Sequence, residues 1–127
     1  MRVLLDTHVV IWWLQGASRL SRRAATILSN RDNGILVSAV VGWELAIKVS
    51  LGKFKPASIL DDLDRMLVGE SFSDLPISLE MAVRAGLLPS YHCDPFDRML
   101  VAQAQSLNIP ILSADAILDR YDVKRLW

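Results

Sequence analysis

Gly34-Ile35-Leu36-Val37-Ser38-Ala39-Val40-Val41-Gly42-Trp43-Glu44-Leu45-Ala46-Ile47-Lys48-Val49-Ser50-Leu51 is the stretch on which the fold turns. The Asn33-Gly34 turn releases a short apolar run, Ile35–Val37, which reads as a buried strand. Ser38 is a favoured N-cap, because its hydroxyl can accept from an unpaired amide of the first helical turn. Ala39–Leu51 then reads as a helix closed by Gly52. A buried strand passing through a capping serine into a helix is one β-α unit. Inside its helix stands a lone acid, Glu44, about two turns in and surrounded by apolar residues.

Outward from this unit the same alternation repeats. Arg2–Leu5 is an apolar run ending in Asp6-Thr7, and Val9–Leu14 leads to a helix-closing Gly16. Ser21–Arg31 is amphipathic, with Ala24, Ala25, Ile27 and Leu28 inward and arginines outward. Ala57–Val68 has helical spacing, Ser71–Leu75 reads as a third strand, and Ser78–Ala85 as a helix ended by Gly86. Asp94-Pro95 is a strong helix start, with Asp as cap and Pro at the first helical position, for a helix reaching about Leu107. Ile109–Leu112 reads as a fourth strand, Asp115 begins a short helix, and Val123–Trp127 adds an edge strand. Short apolar strands alternating with helices predict a parallel sheet of four to five strands with helices on both faces, as one domain over residues 1–127.

Charge does not decide the partner, since 14 basic residues balance 14 acidic ones. The apolar share, 52%, suggests strands buried on both faces or an apolar surface covered by a partner. A single cysteine, Cys93, excludes an internal disulfide and fits a reducing, cytoplasmic setting. Met1–Leu5 is too short for a secretory apolar core, and Gly34–Ile47 is too short to span a bilayer, so no membrane association is expected.

In a parallel α/β sheet, ligands bind at the carboxyl ends of the strands. Asp6 closes the first strand there, and Asp115 lies just past the fourth. Asp94 and Asp97 share the start of one helix. Carboxylates converging at one edge repel each other, and a hard divalent cation such as Mg²⁺ or Mn²⁺ removes that cost. Phosphodiester hydrolysis is the reaction such a site serves best. Each acid also has a structural reading. Asp6, Asp94 and Asp115 can cap helices or turns. Asp97 gains roughly 0.3–1 kcal/mol from a helix N-terminus, and Glu44 can pair with Lys48 at i,i+4 for about 0.3–0.5 kcal/mol.

Leu5-Asp6-Thr7, the Ser38 to Glu44-Leu45 helix, Asp94-Pro95-Phe96-Asp97-Arg98 followed by Leu100-Val101-Ala102-Gln103-Ala104, and Ser113-Ala114-Asp115 together resemble PIN-domain ribonucleases. The nearest resemblance is to the VapC-like toxins of type II toxin–antitoxin modules. The block from His92 to Ala104 is its most specific part. The resemblance implies a three-layer α/β/α fold, Mg²⁺- or Mn²⁺-dependent endoribonuclease activity on RNA, an antitoxin partner and a homodimer. Carried over by position, Asp6, Glu44, Asp97 and Asp115 match the acidic quartet, with Asp94 and Ser113 as accessory residues. In that scheme Asp6 and Asp97 hold the ion directly, Asp115 directly or through water, and Glu44 orients the attacking water.

Lys48, Lys53, Lys55 and Arg98 are the candidate phosphate contacts, each with the alternative of ordinary surface charge. Trp12, Trp13 and Trp43 suit core or interface better than base stacking, and His8 and His92 are too few and too scattered for a Zn²⁺ site. Two other functions are weighed. A receiver-like Mg²⁺-binding phosphoacceptor would want a late-strand lysine, and none occurs between Lys55 and Lys124. A PIN-like scaffold that binds RNA or protein without cutting is disfavoured by the intact quartet.

Overall fold

The computed structural model describes residues 1–16, 18–54, 58–69 and 72–127. Five parallel strands run β1 (Arg2–Leu5), β2 (Gly34–Ser38), β3 (Phe72–Leu75), β4 (Ile111–Leu112) and β5 (Arg125–Leu126), in the spatial order β3-β2-β1-β4-β5. The helices are α1 (Thr7–Leu14), α2 (Arg22–Ser29), α3 (Ala39–Ser50), α4 (Ile59–Gly69), α5 (Leu79–Leu87) and α6 (Pro95–Leu107), and a 3-10 helix covers Ala116–Arg120.

The central strands are apolar without alternation because both faces are covered. Val3, Leu4 and Leu5 are fully buried, as are Ile111 and Leu112. Register is fixed by Leu4 opposite Leu36 on one side and Ile111 on the other. The expected fourth and fifth strands are present, each shortened to two residues. The third begins at Phe72 among the described residues, Ser71 lying outside them.

The order reverses between β1 and β4: the chain steps outward through β2 and β3, then returns to β1's other side. In open α/β sheets such a switch point, at the strands' carboxyl ends, is where ligands bind. The order also overturns the receiver-like alternative, whose doubly wound sheet runs 2-1-3-4-5.

Helix boundaries follow local chemistry. Ser38 Oγ accepts from the Val40 amide at 3.1 Å, and Asp94 Oδ1 accepts from the Phe96 and Asp97 amides at 2.8 and 3.2 Å. Gly52, at φ 69°, takes the left-handed turn after α3. At α5 the boundary differs from expectation: the helix runs through Gly86 to Leu87. Its end is set from outside. Arg98 donates from Nη2 to the carbonyls of Ala85 and Leu88 at 2.9 and 3.0 Å, satisfying the acceptors that a helix leaves open at its C-terminus.

Candidate active site

Asp6 stands at the carboxyl end of β1 and in the N-cap position of α1, yet its side chain caps nothing. Its Oδ2 instead accepts the Ser113 hydroxyl at 2.6 Å, across from β1 to the end of β4. Its Oδ1 is buried with no hydrogen-bond partner, on a residue only 4% exposed. A native fold rarely buries a carboxylate oxygen without a partner, because the desolvation is then uncompensated. Burial pushes the Asp6 carboxyl above its ordinary value, more strongly than Ser113 and His8 pull it down, and Asp115 adds to the rise.

Thr7, the next residue, ties this corner to α3. Its hydroxyl donates to Glu44 Oε1 at 2.8 Å, while Lys48 Nζ donates to Oε2 at 2.7 Å. The Glu44–Lys48 pair at i,i+4 is therefore real, but Glu44 is buried and not on a solvated face.

Asp97 lies in the first turn of α6, half-buried. Its Oδ2 is 2.7 Å from His92 Nε2, whose N–H donates to the ionised carboxylate. Burial raises the Asp97 carboxyl to about 6, and the charges of Asp6 and Asp94 push the same way, against His92. The charge of Asp6 thus reaches Asp97, and that of Asp115 reaches Asp6.

Not every sequence-derived candidate sits in the same group. Among the described residues, His92, Asp94 and Asp97 each bring one ligand-type atom within 4.8 Å of the others. Glu44 joins the site through Thr7 instead. Asp94 and Asp115 do cap: Asp115 is exposed, its Oδ1 accepts from the Ile117 amide at 3.1 Å, and its own amide donates to Ser113 Oγ at 3.0 Å. Ser113 Oγ is therefore bonded to Asp6 and to the Asp115 amide at once.

The proposed phosphate contacts divide. Lys48 reaches the site through Glu44, and Lys53 is exposed beyond the end of α3. Lys55 lies outside the described residues. Arg98 points away from phosphate chemistry: its Nη1 and Nη2 donate to carbonyls of the 85–92 segment, including Pro89 at 3.0 Å. Trp12 and Trp13 pack on the core as expected, whereas Trp43 is 61% exposed and meets Phe96 edge to face.

Two site residues escaped the sequence reading, Thr7 and His92. Both have a local signal. Thr7 adjoins Asp6, and His92 precedes the Asp94 cap by two residues, so the turn into α6 folds its ring back onto Asp97.

The PIN domain family model matches residues 3–124. Ribonuclease VapC22 of Mycobacterium tuberculosis is 33% identical over 104 residues, spanning 80% of this chain and 78% of that protein. The fold is shared with VapBC2 from Rickettsia felis bound to a DNA fragment from their promoter, with 16% identity, a TM-score of 0.75 and coverage of 99% of this chain and 98% of that one. FitAcB from Neisseria gonorrhoeae has 20% identity, a TM-score of 0.69 and coverage of 98% and 96%. The chain belongs to the PIN-domain family, and within it to the VapC-like group.

Proposed function

We propose that this chain is a metal-dependent endoribonuclease acting as the toxin of a toxin–antitoxin pair. One observation carries the reading: the buried, unpartnered Oδ1 of Asp6, at the sheet's switch point, beside an Asp97 carboxyl raised to about 6. An all-oxygen, acid-rich donor set with one oxygen left open fits a hard divalent cation. Asp6 and Asp97 would hold it, with Asp115 directly or through water. When bound, Mg²⁺ or Mn²⁺ supplies the charge that offsets the carboxylates' repulsion and polarises a phosphate.

The remaining roles belong to the chain's own groups. Ser113 fixes the rotamer of Asp6, and Thr7 fixes that of Glu44. Glu44 orients the attacking water and draws off its proton. The water oxygen bonds to phosphorus as the bond to the 3′ oxygen breaks; that oxygen takes a proton from solvent and Glu44 returns its own to solvent, leaving a 5′-phosphate and a 3′-hydroxyl. Lys48 keeps one N–H on Glu44 and donates another to a substrate phosphate, with Lys53 as a second contact. The name of the 33%-identical ribonuclease supports RNA as substrate, and the toxin–antitoxin complexes that share the fold support an antitoxin partner.

The test is cleavage of structured and single-stranded RNAs by protein freed of any antitoxin, in Mg²⁺, Mn²⁺ or EDTA, with Asp6→Asn as control. Metal-dependent cleavage lost in the variant is expected. Cleavage equal in wild type and variant would reject the site.

We assign the homodimer face to α5. Leu79, Val83 and Leu87 form an i, i+4, i+8 row exposed by 82%, 54% and 80%. A two-fold antiparallel crossing centred on Val83 sets Leu79 against Leu87 of the second copy and Glu80 beside its Arg84. Such self-complementarity is what an isologous contact needs. Val83→Arg should shift the species seen by light scattering from dimer to monomer. A wild type already monomeric at micromolar concentration would exclude this face.

A further inference from the structure

His92 stands outside the carboxylate set, yet at 2.7 Å it makes the shortest hydrogen bond to Asp97 among the described residues. Building on the function proposed above, we propose that His92 is a positioning residue: its imidazole holds Asp97 Oδ2 so that Oδ1 is the oxygen presented to the cation.

The terminal torsion of an aspartate is broad and close to two-fold, so a free carboxylate can exchange its two oxygens at little cost. A bond of 2.7 Å to one oxygen removes that freedom only if the donor is itself fixed. His92 is fixed on both sides of its own peptide. Its amide donates to Tyr121 Oη at 2.9 Å, and the Tyr121 hydroxyl donates onward to Pro89 O at 3.0 Å. Its carbonyl accepts from Arg98 Nη1 at 3.4 Å, the guanidinium that also closes the end of α5. Tyr121 is buried, and the His92 and Asp97 side chains retain about a fifth of their exposure, so solvent competes weakly for their bond.

The Asp94 carboxylate borders the pair but is committed through Oδ1 to the Phe96 and Asp97 amides. The same N-terminal turn thereby anchors the Asp97 backbone while His92 anchors its side chain. Carboxylates that ligate metals are commonly held in this way, and losing the holding bond typically weakens metal binding about 10–100-fold.

The experiment measures Mn²⁺ binding by the full chain directly, from the paramagnetic resonance of free Mn²⁺, with no RNA present. Wild type, Asp97→Asn, His92→Ala and His92→Gln are compared, each with a melting curve in EDTA. His92→Ala should bind Mn²⁺ at least about tenfold more weakly while melting near wild type. His92→Gln keeps an N–H donor without an imidazole, and should recover most of the affinity. Wild-type affinity in His92→Ala overturns the proposal, and so does a loss that glutamine leaves unrepaired, since the imidazole would then be acting as a ligand or a structural prop. In either case, binding by wild type that is lost in Asp97→Asn leaves the nuclease reading intact. A wild type that binds no Mn²⁺ overturns both. Should His92→Ala melt far below wild type, the glutamine variant alone decides.

Discussion

The candidate site has two walls, built by different means. The inner wall stands on strand ends: Asp6 after β1, Ser113 after β4, and Glu44 reached through Thr7. Its acids are buried and cap nothing. The outer wall stands on helix beginnings: Asp94 and Asp97 at α6, Asp115 at the 3-10 helix. There two of three acids are engaged with backbone amides. Asp6 and Asp94 occupy the same formal position, the residue before a helix, and do opposite things. What separates them is the bond made by the side chain. Asp94 lowers the energy of its helix, while Asp6 leaves an oxygen open inside the protein.

The contrast is sharpest under isosteric substitution. Asparagine caps as well as aspartate but carries no charge. Asp6→Asn and Asp97→Asn should each lower metal-dependent RNA cleavage by about three orders of magnitude, equivalent to roughly 4 kcal/mol in the barrier. Asp94→Asn should cost less than about tenfold. Equal losses at Asp6 and Asp94, measured as kcat/KM on one RNA, would erase the distinction between the walls.

Stability should move the other way. The native Asp97 carboxyl titrates at about 6 against an ordinary 3.8, so the folded state holds its proton more tightly than the unfolded state. Stability from this group is therefore present at low pH and is lost as pH rises from about 4 through about 6. In EDTA at pH 7, Asp97→Asn should be more stable than wild type by on the order of 3 kcal/mol, with the gain gone near pH 4. Urea titrations across that range read the difference directly. A constant gap at every pH would mean that the ionised carboxylate is not destabilising.

The smallest expected effect belongs to the outer wall alone. Asp94→Ala removes a cap and should lower stability by about 1 kcal/mol, while Asp94→Asn should leave it nearly unchanged. Thermal melts of both variants in EDTA check this pair. A loss of several kcal/mol in Asp94→Asn would show that the charge of Asp94, rather than its cap, holds the outer wall.

Much of this was readable from the chain because its signals are local. Ile35–Val37 is apolar throughout since both faces are covered, and Ser38 and Asp94-Pro95 carry their capping chemistry in adjacent residues. Asp6 and Asp115 are legible as acids near strand ends and Asp97 as an acid at a helix start, whereas the grouping of the four with Glu44 comes from the family resemblance. Which acids stay uncapped was not legible, because the Asp6 partner, Ser113, arrives from the far end of the chain. Gly86 looked like a stop because glycine often ends helices, but the carbonyls of that turn are satisfied by Arg98 from α6. Arg98 looked like a phosphate contact through its adjacency to Asp97. Consecutive helix positions diverge by about 100°, and its guanidinium leaves toward the 85–92 segment.

The bond between Ser113 and Asp6 links residues 107 apart in the chain. On a ribosome, Asp6 emerges 107 residues ahead of Ser113 and waits for that stretch to be made before its partner exists. Until β4 slides in beside β1, the inner wall has one side only. Contacts this distant in sequence form late, after the entropy of closing a long loop has been met. A nascent or half-folded chain therefore carries the acids of the site without the site, which is complete only when synthesis has passed Ser113.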